Sequence, residues 1–260
     1  MTDNTAPAPE EEVQPEDQPH PWADLPPEHF RLLRLAALQT DRHTGARPLR
    51  FIQLGRVERH DKRESLLRLS LQLPGQQVHK EKNVLEVWAN HIQRKVYFGP
   101  EDGLRVEPAN RGLGRFLLAQ GADWARQHYS HYLVASVALH SKDAPSDEDR
   151  ARRDHCLKAQ GFSIEFSDQL QMKAVCTAAR VSALHSDWNS EKVQILSLLD
   201  TASMLQQADQ NLREQEVKVR KLEEQVDRYK REDGGLRFTI TCLLLFCVFQ
   251  AALLIWMATR

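Results

Sequence analysis

The sequence predicts a mixed α/β domain, a central sheet flanked by helices, followed by a long helical stalk and one transmembrane helix. Three observations carry this expectation. Leu67, Leu69, Leu71 and Leu73 alternate with mostly polar residues, the period of a half-buried strand. Leu113, Leu117, Gly121 and Trp124 share one face of a helix, and 238–257 holds no charged residue at all.

Charge is distributed unevenly along the chain. Of its 36 acidic residues, eight (Asp3, Glu10, Glu11, Glu12, Glu16, Asp17, Asp24 and Glu28) fall in the first 29 positions, which carry no Lys or Arg. The rest of the chain has a balance of +7, spread over its length and joined to no nucleic-acid motif. The reading is ordinary surface charge with weak attraction to anions or lipid, and no nucleic-acid partner. The cysteines are Cys156, Cys176, Cys242 and Cys247, none at zinc-ligand spacing, so a reducing compartment without disulfides is expected. No charged-then-apolar stretch opens the chain, so no cleavable secretory signal is expected.

Residues 1–24 are rich in Pro and Glu and poor in large apolar groups, and are expected to be a disordered acidic tail. The folded domain is expected over 25–180. A helix is predicted after Pro26-Pro27, since Phe30, Leu33, Ala37 and Leu38 can share a face. Strands are predicted at 49–57, 66–73 and 84–89, with shorter apolar pieces at 96–98 and 104–106. A helix over Gly112–His128 leads to a strand at 133–139, a loop at 141–146, a charged helix to about Gln160, and a hairpin over 162–175.

The segment 186–233 lacks Pro and Gly and is rich in Glu, Gln, Lys, Arg and Leu. Leu198, Leu205, Leu212, Val219 and Val226 recur every seven residues, while the accompanying d positions Thr201, Ala208, Gln215, Leu222 and Tyr229 are only partly apolar. Two readings stand: a lone solvated helix, or a weak parallel coiled coil that makes the chain a homo-oligomer. Gly234-Gly235 is expected to interrupt the helix. The segment 236–258 then has the length and composition of a membrane span, with no charge except Arg237 at its edge and Gln250 the one strongly polar side chain between 238 and 257. Arg228, Lys230, Arg231 and Arg237 flank its N-terminal side, which favours a single-pass tail anchor with the soluble domain in the cytoplasm.

The segment that carries chemistry is Val106–Leu118, V-E-P-A-N-R-G-L-G-R-F-L-L. A Pro followed by Arg-Gly-x-Gly at the start of an amphipathic helix can cradle a phosphate. Glycines admit the anion, and the helix start offers free N–H groups. Here the chain resembles the GNAT acyltransferase family, whose loop reads R/Q-x-x-G-x-G/A. Arg111 and Gly114 match its first and fourth positions. Phe116 stands at the last, where the family prefers Gly or Ala, so its ring is expected to crowd the cofactor. The likeness continues through the strand 132–139, through Ala159-Gln160-Gly161-Phe162, similar to the family's "K-L-G-F", and into Leu170-Gln171-Met172-Lys173, similar to its last strand.

The resemblance implies a GNAT-like mixed sheet that binds acetyl-CoA as co-substrate. Arg111, Gly112, Leu113, Gly114, Arg115 and Phe116 would hold the pyrophosphate of coenzyme A. The Tyr that the family often uses as general acid is replaced here by Leu157. An amine acceptor must be neutral to attack a thioester; Glu107 is the first candidate base and His140 the second. His128 and His131 are read as cations at a helix end rather than as metal ligands, Cys156, Trp88 and Trp124 as packing, and no metal site is expected. Two functions remain open: acetyl transfer to an amine, or a GNAT-like fold that binds or scaffolds without catalysis.

Overall fold

The computed structural model describes residues 20–22, 25–42, 44–75, 82–100, 104–140, 144, 146–166 and 173–259. The chain divides into two units, Met1–Ser197 and Leu198–Arg260. The heart of the first is an antiparallel meander: β4 (Arg50–His60), β5 (Glu64–Gln72), β6 (Val84–Asn90) and β7 (Lys95–Gly99). Its Leu- and Val-rich strands pair in register, with Leu67 opposite Val87 and Leu69 opposite Leu85.

Sequence alternation predicts one wet face for β5, but both faces are covered. Ser65 through Leu71 are all buried. On one side Leu67, Leu69 and Leu71 belong to the main core. On the other, Arg68 is buried against Glu86 at 3.0 Å, and Pro27 lies over Gly55. A Cβ at Gly55 would sit 2.6 Å from the Pro27 ring and 2.7 Å from Ser70 Oγ, so only glycine fits there. Further along the sheet, His20 packs edge-on against Trp88 and pairs with Glu64, while Trp22 stacks on the same indole. The folded unit therefore begins at or before residue 20, not at 25. The remainder of the expected acidic tail, 1–19 and 23–24, lies outside the described residues.

The helix predicted after Pro26-Pro27 is a correction: its residues form β1 (His29–Leu35) and β2 (Leu38–Asp41), the latter paired with β3 (Gly45–Arg47). The run F-R-L-L-R-L fits either period. Pairing decides it, because β1 is bonded along its whole length to β4 and on its other edge to β12 (Val193–Leu196). Leu33 and Leu35 then enter the core on one face at a spacing of two.

Chain direction changes after β7. The helix α1 (Leu113–Tyr129) crosses over the sheet to β8 (Leu133–Val134), which is parallel to β7. It lies close on the sheet, since a Cβ on Gly121 would come within 2.9 Å of Val87 and 3.1 Å of Leu85. The single strand predicted at 133–139 is split in two. β8 closes the seven-stranded sheet, in the order β12-β1-β4-β5-β6-β7-β8, whereas β9 (Val137–His140) joins a second sheet. The second sheet has the order β10-β11-β9, with β10 (Ser163–Phe166) and β11 (Lys173–Thr177) forming the expected hairpin.

Between β9 and β10 runs α2 (Asp147–Ala159), capped by Ser146 Oγ, which accepts the Asp149 N–H at 3.1 Å. The A-Q-G-F motif ends it physically. Gly161, at φ +88°, donates to Lys158 C=O and Phe162 N–H to Leu157 C=O, the paired bonds of a Schellman cap. Leu104–Val106, predicted as a strand piece, is not in a strand.

The segment expected to link domain and stalk is a further correction. Residues 181–197 belong to the first unit: a 3₁₀ turn at Val181–Ala183 packs beside α1, and β12 follows. The stalk helix α3 begins at Leu198 rather than 186 and runs to Thr259 without a break at Gly234-Gly235. A glycine costs a helix about 1 kcal/mol relative to alanine, too little to stop one supported on both sides.

Candidate functional site

The start of α1 has the geometry expected of an anion site. Gly112 takes the left-handed conformation, φ +82°, and no side chain caps the helix. The intrahelical ladder begins with Phe116 N–H to Gly112 C=O at 3.0 Å. The amides of Leu113, Gly114 and Arg115 therefore precede the ladder, and among the described residues none has a bond. No acidic residue stands in the first turn. Among the described residues, a Cβ at Gly114 would meet nothing closer than Leu104 at 4.0 Å. Of the two glycines of the motif, Gly112 is the one that takes a positive φ.

The side chains of the motif do different work from that expected. Arg111 is 2% exposed and donates to Ala36 C=O and Pro48 C=O, both at 2.8 Å, tying the β1–β2 and β3–β4 connections to the loop. Burial, followed by repulsion from Arg50 and Arg47, lowers its pKa. Its guanidinium is a structural clamp, while its Nε is buried and unpartnered. Phe116 is fully buried, edge-on to Trp188 at 5.5 Å, and does not line the approach. Arg115 donates to Asp187 C=O at 3.2 Å. The Lys192 stem lies beside Gly112, where an added Cβ would meet it at 3.7 Å. Arg47, Arg50 and Lys192 thus add positive charge that sequence reading missed, because they come from strands and loops far from the motif.

At the same end of the sheet, β7 and β8 part. Their ladder ends with Ala135 N–H to Val96 C=O at 2.8 Å. The register leaves the N–H and C=O of Phe98 facing the split. The helix start and the end of this strand pair thus lie at the carboxyl ends of parallel strands, where open α/β sheets take their ligands.

The proposed bases are less well provided for. Glu107 is exposed, bonded to Lys82 at 3.2 Å, and follows a non-strand segment, not a strand end. Its backbone N–H donates to Asn83 Oδ1 at 2.6 Å. His140 ends β9, opposite Lys173 of β11. Leu157 is partly buried against the core. Burial raises the Cys156 thiol to about 11, with Arg115 opposing, so it is protonated at neutral pH.

His128 and His131 do not converge. His128 Nδ1–H donates to Trp124 C=O at 2.9 Å, and His131 packs edge-on to Tyr132. Among the described residues no group of three His, Cys, Asp or Glu side chains could hold a metal. Trp124 is core, as expected, but Trp88 is only partly buried on the opposite face of the sheet.

A second polar cluster, absent from the sequence reading, sits at the far end of α1. Ser65 Oγ lies 3.0 Å from His60 Nδ1, 2.9 Å from His91 Nε2 and 2.9 Å from Tyr129 OH, and Tyr132 OH is 3.1 Å from His91 Nδ1. Ser65 is 1% exposed, so no substrate reaches its oxygen. The cluster fastens the helix end to two hairpin turns. Its bonded pairs lie up to 69 positions apart, and no local pattern joins them.

No protein-family model matches the chain, and no curated protein or solved structure is similar to it at a significant level. Fold and site define a mixed α/β unit with an uncapped helix start at the edge of a parallel strand pair. It is followed by a helix whose last part is long and apolar enough to cross a membrane.

Proposed function

We propose that this chain is a membrane-anchored, GNAT-like protein that binds acetyl-CoA at the start of α1 and transfers the acetyl group to an amine. The observation that carries the reading is the set of three amides, Leu113, Gly114 and Arg115, that have no bond among the described residues and open on Gly112 and Gly114. Such amides and the helix dipole suit a pyrophosphate. The N–H and C=O of Phe98, on the β8 side of β7 beyond the last ladder bond, suit the amide-bearing arm of coenzyme A, which can bond to a strand edge as a peptide does. Glu107 or His140 would take the amine proton. A second reading, binding without catalysis, is favoured by the Lys82 pairing of Glu107 and by Leu157 in place of the acid.

Gly114→Val tests the site. Gly114 is helical and has room for a side chain, so the fold should persist while the branched group screens the amides. Isothermal titration of residues 20–197 with acetyl-CoA should show binding to the wild type and a loss of more than about thirtyfold in the variant, roughly 2 kcal/mol or the worth of about one charge-assisted hydrogen bond. Equal affinities would remove the assignment. Turnover with an amine panel then separates the two readings.

The anchor is proposed to be 236–258, with everything before it in the cytoplasm. Supporting this are the absence of charge over 238–257, the exposure of its apolar side chains, and the basic residues at its N-terminal side. Deleting 236–260 should move the protein from the membrane pellet to the soluble fraction. A truncated chain that still pelleted and resisted alkaline carbonate would refute the assignment.

A further inference from the structure

We infer that α3 is the interface with a second copy of this chain, parallel and in register, along one seam that continues from the stalk into the apolar segment and is locked there by Gln250. The inference rests on the reading of 236–258 as a membrane span.

The first observation is continuity. Because α3 does not break at Gly234-Gly235, the heptad phase set by Leu205, Leu212, Val219 and Val226 passes into the apolar segment. Carried on by sevens, it places Ile240, Cys247 and Leu254 at a, and Leu236, Leu243 and Gln250 at d. Gln250, the one strongly polar side chain between 238 and 257, therefore falls on the seam itself. A straight helix would drift about 20° per heptad from this phase, and a left-handed supercoil takes up the drift.

The second observation is the unpartnered face. Leu205, Leu212, Val219 and Leu222 are 53–73% exposed, and a shallow groove on α3 is lined by Val219, Leu222 and Val226 with Glu223, Asp227 and Lys230 at its margins. β-Branched residues at a with Leu at d, as at Val219, Leu222 and Val226, favour two strands.

Charge chooses the occupant and its direction. In a parallel dimer each g residue faces the e residue five positions on in its partner. Lys218 at g then meets Glu223 of the second copy, and the converse pair forms by symmetry. Two chains anchored in one membrane with their stalks on the same side must also be parallel. Within lipid there is no hydrophobic drive to associate, so a side-chain amide that both donates and accepts is the group able to hold two such helices together. Asp233 interrupts the apolar run of a positions between the two halves of the seam.

The two membrane-segment cysteines provide an internal test, since Cys247 lies at a and Cys242 at c, off the seam. The full chain is reconstituted in phosphatidylcholine vesicles at high lipid-to-protein ratio and treated with copper-phenanthroline, which accepts the two electrons of disulfide formation. Wild type and Cys242→Ser should give a disulfide-linked dimer, and Cys247→Ser none. With dimer measured by dilution in lipid, Gln250→Leu should weaken it about tenfold. Lys218→Glu should also weaken it, and Lys218→Glu with Glu223→Lys should restore it. Cross-linking through Cys242 as readily as through Cys247 would overturn the seam, as would a charge swap that fails to restore the dimer. Alkaline carbonate reads the span separately. A carbonate-resistant chain that stays monomeric refutes the interface alone, whereas an extracted chain refutes the span and the Gln250 lock with it.

Discussion

A chain ending at residue 180 is expected to lose its cooperative fold, while one ending at 197 keeps it. The segment between these ends buries Val181, Leu184 and Val193 almost completely, a contribution of roughly 5–9 kcal/mol at 1.5–3 kcal/mol each. It also bonds to three separate parts of the unit. Val181 N–H donates to Tyr132 C=O at 3.0 Å, His185 N–H to Gln160 C=O at 2.9 Å, and Ala36 N–H to Lys192 C=O at 3.0 Å. β12 covers the outer edge of β1, which would otherwise expose unpaired N–H and C=O groups. The loss approaches the whole stability of an ordinary domain, about 5–15 kcal/mol. Urea unfolding of residues 20–180 and 20–197, followed by tryptophan fluorescence, decides the matter. A sigmoidal transition in the shorter fragment at a similar midpoint would show that 181–197 is an appendage after all.

Phe116→Ala is expected to be the most damaging single substitution in the loop motif, and to act on stability rather than on ligand affinity. The ring is fully buried, in the same core as Leu113, Leu117 and Val193, and meets the Trp188 ring edge-on. Emptying such a site costs about 3–5 kcal/mol, through lost transfer energy and an unfilled cavity. At about 2–4 °C per kcal/mol in a unit of this size, the melting temperature should fall by about 10 °C. Sequence comparison with the GNAT loop implies the opposite, that removing a bulky group would admit the cofactor more closely. Calorimetry on residues 20–197 separates the two. A variant that melts within 2 °C of wild type and binds acetyl-CoA more tightly would place the ring outside the core, against this account.

The difference at Phe116 shows why the motif was only half legible. The residue types of V-E-P-A-N-R-G-L-G-R-F-L-L reveal a glycine-opened helix start, and the structure has one, with φ positive at Gly112. They do not reveal which side chains face outward. Arg111 turns inward to two carbonyls contributed by Ala36 and Pro48, more than sixty positions away, and Phe116 N–H is already committed to the helix. The positive charge near the loop comes partly from Arg47, Arg50 and Lys192, which no spacing within the motif could indicate.

By itself the sequence determined those elements whose signal is contained in one short window. The amphipathic face of α1, the charged helix α2, the strands β4 to β7 and the long apolar stretch near residue 250 are of this kind. Each follows from periodicity or backbone chemistry within one or two turns of chain. Tertiary structure decided whether His29–Leu35 would be helix or strand, whether the second face of β5 would be wet, and where the first unit would end. In these cases the local sequence permits two outcomes of similar energy. The balance is set by partners distant in the chain: β12 pairs with β1 across some 160 residues, and Pro27 closes over Gly55. Pairing and burial at such separations contribute several kcal/mol, against a few tenths per residue for intrinsic preference, so the distant contact prevails.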